Sequence, residues 1–440
     1  MVKLRYWLGS GLGLLLRASG VCSDVPPPVS FIYTEAVRYA DQTALKGGER
    51  FPSGAVLQLV SGGRKRALAP GFAASADACV SFDGERVLFS GKQKPGDRWQ
   101  IWEISVMGGP PRPMVTEPED GIAPVYLPDD RLVYSRRTAT GFQIFAIAPG
   151  GAARVQLTFG NGDHIATDVL RDGRILFQAP HSASTARDLY TVYSDGSGVE
   201  TYRCDHGRDR HSARELLSGD ILFETAGRLA RFTSSRAVAL ELPLPKGEFA
   251  GPPAEIAAGD WLVAWRPDSA APFGLYRWKT GQALPAEVPA TASGAFQPVL
   301  VRQRPVPKRH PSGLGDREGA NLLCLNVYTS KLRIAEGSVT SVRVWAQDDR
   351  GVPALLGQAP VEKDGSFFVN PPSERPIRFE LLDAVGKIQA AEKGWFWARR
   401  GEQRICVGCH AGPERAPENA VPEVLRRSTE PLHMKIGGTR

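Results

Sequence analysis

Residues 82–89 read Phe-Asp-Gly-Glu-Arg-Val-Leu-Phe, a turn and two charged residues followed by a short apolar run that ends in an aromatic. The pattern returns at 127–134 (LPDDRLVY), 170–177 (LRDGRILF) and 217–223 (LSGDILF), and a fifth copy is GDWLV at 259–263. The closing aromatic residues Phe89, Tyr134, Phe177 and Phe223 are spaced by 45, 43 and 46 residues. Self-similarity at a nearly fixed period indicates a fold made of repeated units.

A second strand pattern recurs in step with the first. Its copies are QIWEI at 100–104, QIFAI at 143–147, DLYTV at 188–192 and GLY at 274–276. The apolar residues Ile101, Ile144 and Leu189 are 43 and 45 residues apart, and LQL at 57–59 lies one period earlier. Each unit therefore contains at least two consecutive strands, and LQL indicates an earlier, incomplete unit.

A period near 44 residues with several short strands per unit predicts a β-propeller. Residues 35–302 hold about six periods, and the strand at 297–300 is expected to close the ring against the N-terminal strand. The repeated strand pair resembles TolB-type propellers. The Asp-Gly pairs are then turn formers, not catalytic carboxylates. We predict an all-β protein that begins with a TolB-like propeller of about six blades.

The composition fits a folded chain of more than one domain. Of 440 residues, 42% are hydrophobic and 23% are charged, which excludes a disordered or fibrous protein. The 47 glycines and 35 prolines favour short strands and tight turns over long helices. The net charge of +7 is spread along the chain, so nucleic acid is not an expected partner.

A linker and a smaller β domain are predicted after the propeller. Residues 303–317 are rich in proline, glycine and charge, which is typical of a linker. Strand patterns follow at 322–328, 341–345, 365–369 and 377–382, and the last alternates apolar and charged residues. We predict a β-sandwich-like domain over 318–400.

The first residues have the layout of a secretory signal peptide. Lys3 and Arg5 precede a short apolar run at 7–16, and small residues follow at 18–20. This run is too short to span a bilayer, and no later apolar segment is long enough. We predict a signal peptide at 1–22 and a soluble, periplasmic or otherwise extracytoplasmic protein. A lipid anchor on Cys22 is less favoured, because Val21 is too bulky for a good lipoprotein cleavage site.

The segment 401–440 carries the most specific chemical motif. Residues 406–410 read CVGCH, the C-x-x-C-H signature of c-type haem attachment. Cys406 and Cys409 are predicted to form thioethers with one haem c, and His410 is predicted to be the proximal iron ligand. A thioredoxin-like redox pair is one alternative, but a β domain rather than a βαβ unit precedes the motif. A zinc site is the other, but no second C-x-x-C or H-x-H supplies further ligands.

The sixth iron ligand stays open at this point. Met434 and His433 are the local candidates, and a methionine ligand would raise the reduction potential. The alternative is a terminal tail without a role in the site. The aromatic run at 395–397 packs either on the haem or in the core of the last strand.

Other arginine, histidine and cysteine residues are less specific candidates for a functional role. Five arginines either pair the haem propionates or form a solvated basic face: Arg399, Arg400, Arg404, Arg426 and Arg427. Cys204 and His206, with His211 nearby, are a candidate metal site, although a polar loop is the favoured interpretation. Cys79 and Cys324 are expected to be buried thiols.

The order of these parts resembles one bacterial family, that of the hydrazine synthase alpha subunit. The resemblance rests on LCLNVY at 323–328, GQAPVEKDGSFF at 357–368, WFW at 395–397 and the CVGCH motif, after a propeller. It covers nearly all of the chain after the signal peptide, and residues 322–427 are its specific part. It implies a periplasmic haem protein whose haem lies against the propeller.

The resemblance does not by itself imply hydrazine synthesis. In the synthase, a tyrosine four residues after the motif histidine is understood to bind the catalytic iron, which leaves that histidine for zinc. Glu414 occupies this position here, and no tyrosine follows Cys406. We expect His410 to be an ordinary proximal ligand, and we expect no second haem domain.

Three functions remain after this comparison. The first is electron transfer, with the propeller docking a redox partner protein. The second is a haem enzyme that acts on a small nitrogen or oxygen species at an open iron position. The third is an interaction propeller whose haem has a structural role. Electron transfer is favoured, because the sequence shows no acid–base residues beside the haem motif.

Overall fold

The protein is built almost entirely from short β-strands, as its computed structural model shows. The structure describes residues 29–40, 48–148, 151, 153–181, 186–203, 208–235, 237–284, 286–288, 294–348, 350–409 and 419–435. The signal peptide predicted at 1–22, with Cys22, lies outside the described residues. Among the residues that are described, no helix is long and apolar enough to cross a membrane.

The first part of the chain folds into a succession of antiparallel sheets. Its strands are β1 (Phe31–Glu35), β2 (Val56–Ser61), β3 (Arg64–Ala67), β4 (Ala74–Val80), β5 (Arg86–Lys92), β6 (Gln100–Ser105), β7 (Arg112–Val115), β8 (Gly121–Tyr126), β9 (Leu132–Thr138), β10 (Gly141–Ile147), β11 (Arg154–Gln156), β12 (Ile165–Val169), β13 (Ile175–Pro180), β14 (Arg187–Val192), β15 (Glu200–Thr201), β16 (His211–Glu215), β17 (Ile221–Thr225), β18 (Arg228–Phe232), β19 (Leu240–Glu241), β20 (Glu248–Phe249), β21 (Ala254–Ala257), β22 (Asp260–Arg266), β23 (Gly274–Lys279), β24 (Ala286–Glu287) and β25 (Ala295–Leu300).

These strands form six sheets within the described part of residues 31–300. Four sheets are meanders of consecutive strands: β4–β7, β8–β11, β12–β15 and β16–β19. In the sixth sheet, β20 and β21 both pair with β22, and β23 and β24 follow. Strands of neighbouring sheets contact one another in turn, from β1 through β4, β8 and β12 to β16. The β-propeller-like fold predicted from the repeats is confirmed.

The last strand of this part closes the ring. In the first sheet the order is β25-β1-β2-β3, and Leu300 of β25 pairs with Phe31 of β1. The expected closing strand at 297–300 is therefore observed. LQL at 57–59 lies in β2, the third strand of this sheet, and β25 supplies the first strand that the incomplete unit lacked.

The repeated sequence pattern corresponds to the second strand of each sheet. Phe89, Tyr134, Phe177 and Phe223 lie in β5, β9, β13 and β17, and their side chains are fully buried. Each of these strands is flanked by its neighbours on both edges, so its apolar side chains pack between adjacent sheets.

The linker packs along the propeller. The backbone amide of Arg304 donates a hydrogen bond to the carbonyl oxygen of Phe82 at 2.9 Å. The backbone amide of Lys308 donates one to the carbonyl oxygen of Arg171 at 3.0 Å. The imidazole of His310 stacks on Tyr193, with ring centroids 3.9 Å apart. Residues 303–317 therefore follow the surface of the propeller as they lead to the second domain.

The second domain is a pair of four-stranded sheets. Its elements are β26 (Asn321–Cys324), β27 (Ser341–Gln347), β28 (Pro353–Pro360), β29 (Phe367–Asn370), β30 (Ile377–Leu382), β31 (Ile388–Ala391), β32 (Gln403–Cys406), α1 (Glu423–Arg427) and β33 (Leu432–His433). The strand orders are β32-β26-β29-β33 and β28-β27-β30-β31, and one apolar core lies in this domain.

Two details of this domain differ from the sequence-based expectation. The strand expected at 322–328 ends at Cys324, because Asn326 begins a turn in which its side-chain oxygen accepts a hydrogen bond from the Tyr328 amide at 2.8 Å. The segment 401–440 contributes β32 and β33 to a sheet of the domain that was expected to end at residue 400. The motif cysteines are thereby fixed to the domain core.

Candidate haem-binding site

Cys406 is the last residue of β32, at one edge of a sheet, and Cys409 follows three residues later. Strand β32 runs parallel to β26, and this pairing sets Cys406 opposite Cys324. Both motif cysteines are half-buried and pack against the core of the second domain, while Cys324 is buried within it. His410 lies outside the described residues, so the motif is described up to Cys409.

Burial keeps the two motif thiols protonated at neutral pH. It raises the pKa of Cys406, against a smaller lowering by the nearby Arg404 guanidinium. It also raises the pKa of Cys409 to about 12, and the Glu392 carboxylate adds to this rise. Reactive redox cysteines have a lowered pKa instead, so this environment favours attachment over a thioredoxin-like role. In the described part of the chain no cluster of three His, Cys, Asp or Glu residues could hold a metal ion.

A cavity of about 960 Å³ opens beside the cysteine pair, between the propeller and the second domain. The second domain contributes Cys406, Cys409, Trp395 and Phe396 to its lining, among other residues. The propeller contributes residues of the fourth sheet and of the chain that follows it. Pockets that bind cofactors and small molecules have volumes of roughly 300–1,000 Å³. The cavity therefore has the capacity for a cofactor attached to the two thiols.

The charges around this cavity are mainly positive. Five basic residues line it: Arg174, Arg203, Lys331, Lys393 and Arg404. Two carboxylates, Glu200 and Glu392, lie among them, and Glu200 is bound to Arg174 at 2.6 Å. Guanidinium groups are the preferred partners of carboxylates, so the lining suits a group with acidic substituents such as haem.

Arg404 joins the two walls of the cavity. Its Nη2 donates a hydrogen bond to the carbonyl oxygen of Val199 on the propeller at 2.7 Å. Its guanidinium carbon lies 5.2 Å from the ring centroid of Phe396. Of the five arginines considered in the sequence, only Arg404 is among the described lining residues.

An imidazole and a phenol lie together on the propeller wall. His181 directly follows β13, and Tyr190 lies in the neighbouring strand β14. The Nδ1 atom of His181 and the hydroxyl oxygen of Tyr190 are 3.0 Å apart. Burial raises the pKa of Tyr190, so its hydroxyl stays neutral. Neither residue has a motif around it that predicts a site, and only the fold brings them near Cys406 and Cys409.

The aromatic run at 395–397 is divided between two environments. Trp395 and Phe396 line the cavity. Trp397 packs in the propeller instead, where it stacks on His164 with ring centroids 5.6 Å apart. Trp395 and Phe396 therefore face the cavity, and Trp397 packs in the propeller rather than in the core of the last strand.

The two local candidates for the sixth ligand lie elsewhere in the second domain. Met434 is 4% exposed and packs in the domain core, and its backbone amide donates to the carbonyl oxygen of Asn370 at 2.9 Å. His433 is exposed, and its Nδ1 is 3.1 Å from the side-chain oxygen of Asn370. Neither residue is among those that line the cavity.

The other candidate metal site is only partly described. Cys204 and His206 lie outside the described residues. His211 is buried at the start of β16, and its Nε2 is 3.7 Å from a carboxylate oxygen of Glu224.

Together, the fold and the cavity define a class of protein in which a β-propeller is followed by a β domain with a C-x-x-C pair at the domain boundary. Residues 328–411 match the family model described as the hydrazine synthase alpha subunit middle domain. The solved structure of hydrazine synthase from Kuenenia stuttgartiensis is similar over 91% of this chain and 72% of that chain, with 16% sequence identity and a TM-score of 0.81. The resemblance inferred from the sequence is confirmed.

A second solved structure is TolB from Acinetobacter baumannii. The match covers 64% of this chain and 67% of the TolB chain, with 13% sequence identity and a TM-score of 0.48. No curated protein sequence matches the chain.

Proposed function

We propose that this chain is an exported c-type haem protein that transfers electrons and docks a redox partner through its propeller. One haem c is attached to Cys406 and Cys409, and His410 is its proximal ligand. The observation that carries this proposal is that both thiols of the attachment motif line a cofactor-sized cavity with a basic wall.

The lining residues fit the chemistry of this cofactor. When bound, haem c supplies an iron that takes up and releases single electrons. The two thiols hold the porphyrin in place, Trp395 and Phe396 give it an apolar surface, and Arg404 offers positive charge to its propionates. For electron transfer the protein has to bind and orient the cofactor, and no acid–base group is required.

Export follows from the same proposal. Attachment of c-type haem takes place outside the bacterial cytoplasm, so the predicted signal peptide at 1–22 and the motif at 406–410 are consistent with each other. We propose a periplasmic location after cleavage, with a lipid anchor on Cys22 as the less favoured alternative.

Hydrazine synthesis is not part of this proposal. The matching structure from Kuenenia stuttgartiensis carries that name, but at 16% identity the likeness supports the fold alone. The expected iron-binding tyrosine is replaced by Glu414.

The proposal is tested on the full chain, exported in a bacterial host with haem-attachment machinery. We expect a pyridine haemochrome spectrum of one c-type haem per chain and reversible one-electron titration. The double variant Cys406→Ala/Cys409→Ala should lose the covalent haem. The matched control is Cys79→Ala, which removes a half-buried thiol of the propeller and should retain the haem.

Two results would overturn the proposal. Absence of covalent haem from the wild-type protein would exclude haem attachment and leave a zinc site or an interaction propeller. A stable high-spin iron that binds cyanide or nitric oxide would replace electron transfer by catalysis at an open iron.

A further inference from the structure

We propose that His181 of the propeller is the sixth ligand of the haem iron, through its Nε2 atom. This inference rests on the proposed haem attachment at Cys406 and Cys409. It assigns to a residue of the propeller the role for which Met434 and His433 were the local candidates in the sequence.

The position of His181 is the first argument. It lines the same cavity as Cys406 and Cys409. A porphyrin attached to Cys406 and Cys409 would lie between the two domains, because residues of both line the cavity. Of the described lining residues, His181 alone has an imidazole, the commonest side chain for iron ligation at a haem.

Packing fixes the imidazole at this place. The His181 backbone amide donates a hydrogen bond to the carbonyl oxygen of Ala186 at 3.2 Å. The ring lies against Gly394, where an added Cβ would be 3.0 Å from its Cε1 atom. Gly394 is next to Trp395, which also lines the cavity. The imidazole therefore reaches from the propeller to the main chain of the second domain.

The tautomer of His181 is the second argument. The Tyr190 hydroxyl lies 3.0 Å from Nδ1. A histidine that binds a metal through one ring nitrogen usually donates the N–H of the other to a neighbouring acceptor. With the proton on Nδ1 and donated to Tyr190, the lone pair is on Nε2. Tyr190 stacks on Phe177 with ring centroids 5.4 Å apart, which holds the phenol in position.

The alternative ligand is badly placed by comparison. Met434 packs among the core residues of the second domain and is 4% exposed. Binding of its sulfur to an iron in the cavity would require it to leave that core. His181 already lines the cavity.

The test uses the exported full-length holoprotein and measures the spin state of the iron. The wild type should be low-spin by optical and electron paramagnetic resonance spectra. His181→Ala should retain covalent haem in the pyridine haemochrome assay but become high-spin and bind cyanide. Added imidazole should restore the low-spin spectrum of this variant. His310→Ala, which removes an exposed imidazole of the linker, is the matched control and should stay low-spin.

Further variants distinguish the ligand from a structural residue. Tyr190→Phe removes the acceptor of the Nδ1 proton and keeps the ring, so it should leave the iron low-spin and raise its reduction potential. Met434→Leu should leave the spectrum unchanged. The inference is wrong if the haem-bearing wild type is high-spin, if His181→Ala stays low-spin, or if Met434→Leu becomes high-spin. Wild-type protein without covalent haem would instead contradict the proposed function.

Discussion

Gly408, between the motif cysteines, is in closer contact with the domain than the C-x-x-C-H pattern requires. A Cβ at this residue would lie 2.0 Å from the carbonyl oxygen of Thr329 and 2.8 Å from that of Asn326. Backbone atoms cannot move aside as a flexible side chain can. The loop between Cys406 and Cys409 therefore packs directly against the backbone of the turn that follows β26.

We predict that Gly408→Ala lowers both stability and haem incorporation. Overpacking of this kind costs about 1–3 kcal/mol, and displacement of the loop moves Cys406 and Cys409 relative to the cavity. The measurements are the midpoint of chemical unfolding and the ratio of covalent haem to protein. Gly313→Ala is the matched control, since nothing lies within 4 Å of a Cβ there. Equal values for the two variants would contradict the prediction.

At the scale of residues, the sequence motif pointed to only part of the proposed site. Cys406 and Cys409 were proposed because thioether attachment requires two thiols at a fixed short spacing. His181 and Tyr190 could not be found in the same way. They are separated from the motif by two further sheets of the propeller, the linker and most of the second domain, and their proximity to it depends on how the two domains pack.

At the scale of elements, the closing strand β25 joins the two ends of the propeller. Phe296 of β25 is 2% exposed. It contacts three aromatic side chains that come from the first and the last part of the propeller: Tyr39, Phe51 and Phe273. Their centroids lie 5.4, 6.4 and 5.5 Å from that of Phe296. One side chain therefore packs the first sheet against the sixth.

We predict that Phe296→Ala lowers the free energy of unfolding by about 3–5 kcal/mol, the usual cost of such a truncation in a core. Equilibrium unfolding in urea measures this change. The matched control is Leu284→Ala, which truncates an apolar side chain that is 69% exposed and should change the free energy little. A Phe296→Ala variant as stable as this control would show that ring closure does not depend on the aromatic cluster.

The strands that could be predicted from the sequence are more buried than the outer strands that could not. The second strands were found because their apolar residues are buried between neighbouring sheets, which selects a repeated pattern. The outer strands β3, β7 and β11 are largely exposed and carry little apolar pattern, so no repeat was visible in them. Strand β18 was missed because its sequence, RLARF, departs from the repeated QI-aromatic pattern of the equivalent strands.

At the scale of the molecule, the second domain packs against the third and fourth sheets of the propeller. The Arg399 guanidinium donates to the carbonyl oxygen of Gln156 at 2.6 Å, and a Glu402 oxygen accepts from the Gly198 amide at 3.1 Å. Trp397 inserts its ring between His164 and Phe159 of the propeller. The cavity between the domains depends on these contacts, so its shape is coupled to the stability of this interface.

His164 makes this interface sensitive to acid. Its side chain is buried against Trp397 and Phe177, and burial lowers its pKa to about 3. Below pH of about 6.5, the unfolded chain binds a proton at this imidazole that the folded chain does not bind. The contribution of the neutral His164 side chain to the free energy of unfolding is therefore fully present above that pH. It is lost as the pH falls towards 3.

We predict that His164→Leu reduces the acid dependence of the free energy of unfolding. Between pH 6 and 4, the wild type should lose about 1.4 kcal/mol per pH unit more than the variant, because one proton is involved. Urea unfolding at a series of pH values, followed by tryptophan fluorescence, measures the difference. Phe177→Leu, which alters the same packing without removing a titrating group, should be less stable at every pH but keep the wild-type slope. Parallel pH profiles for the wild type and His164→Leu would mean that the imidazole is accessible to protons in the folded protein, and that the interface around Trp397 opens more readily than its packing indicates.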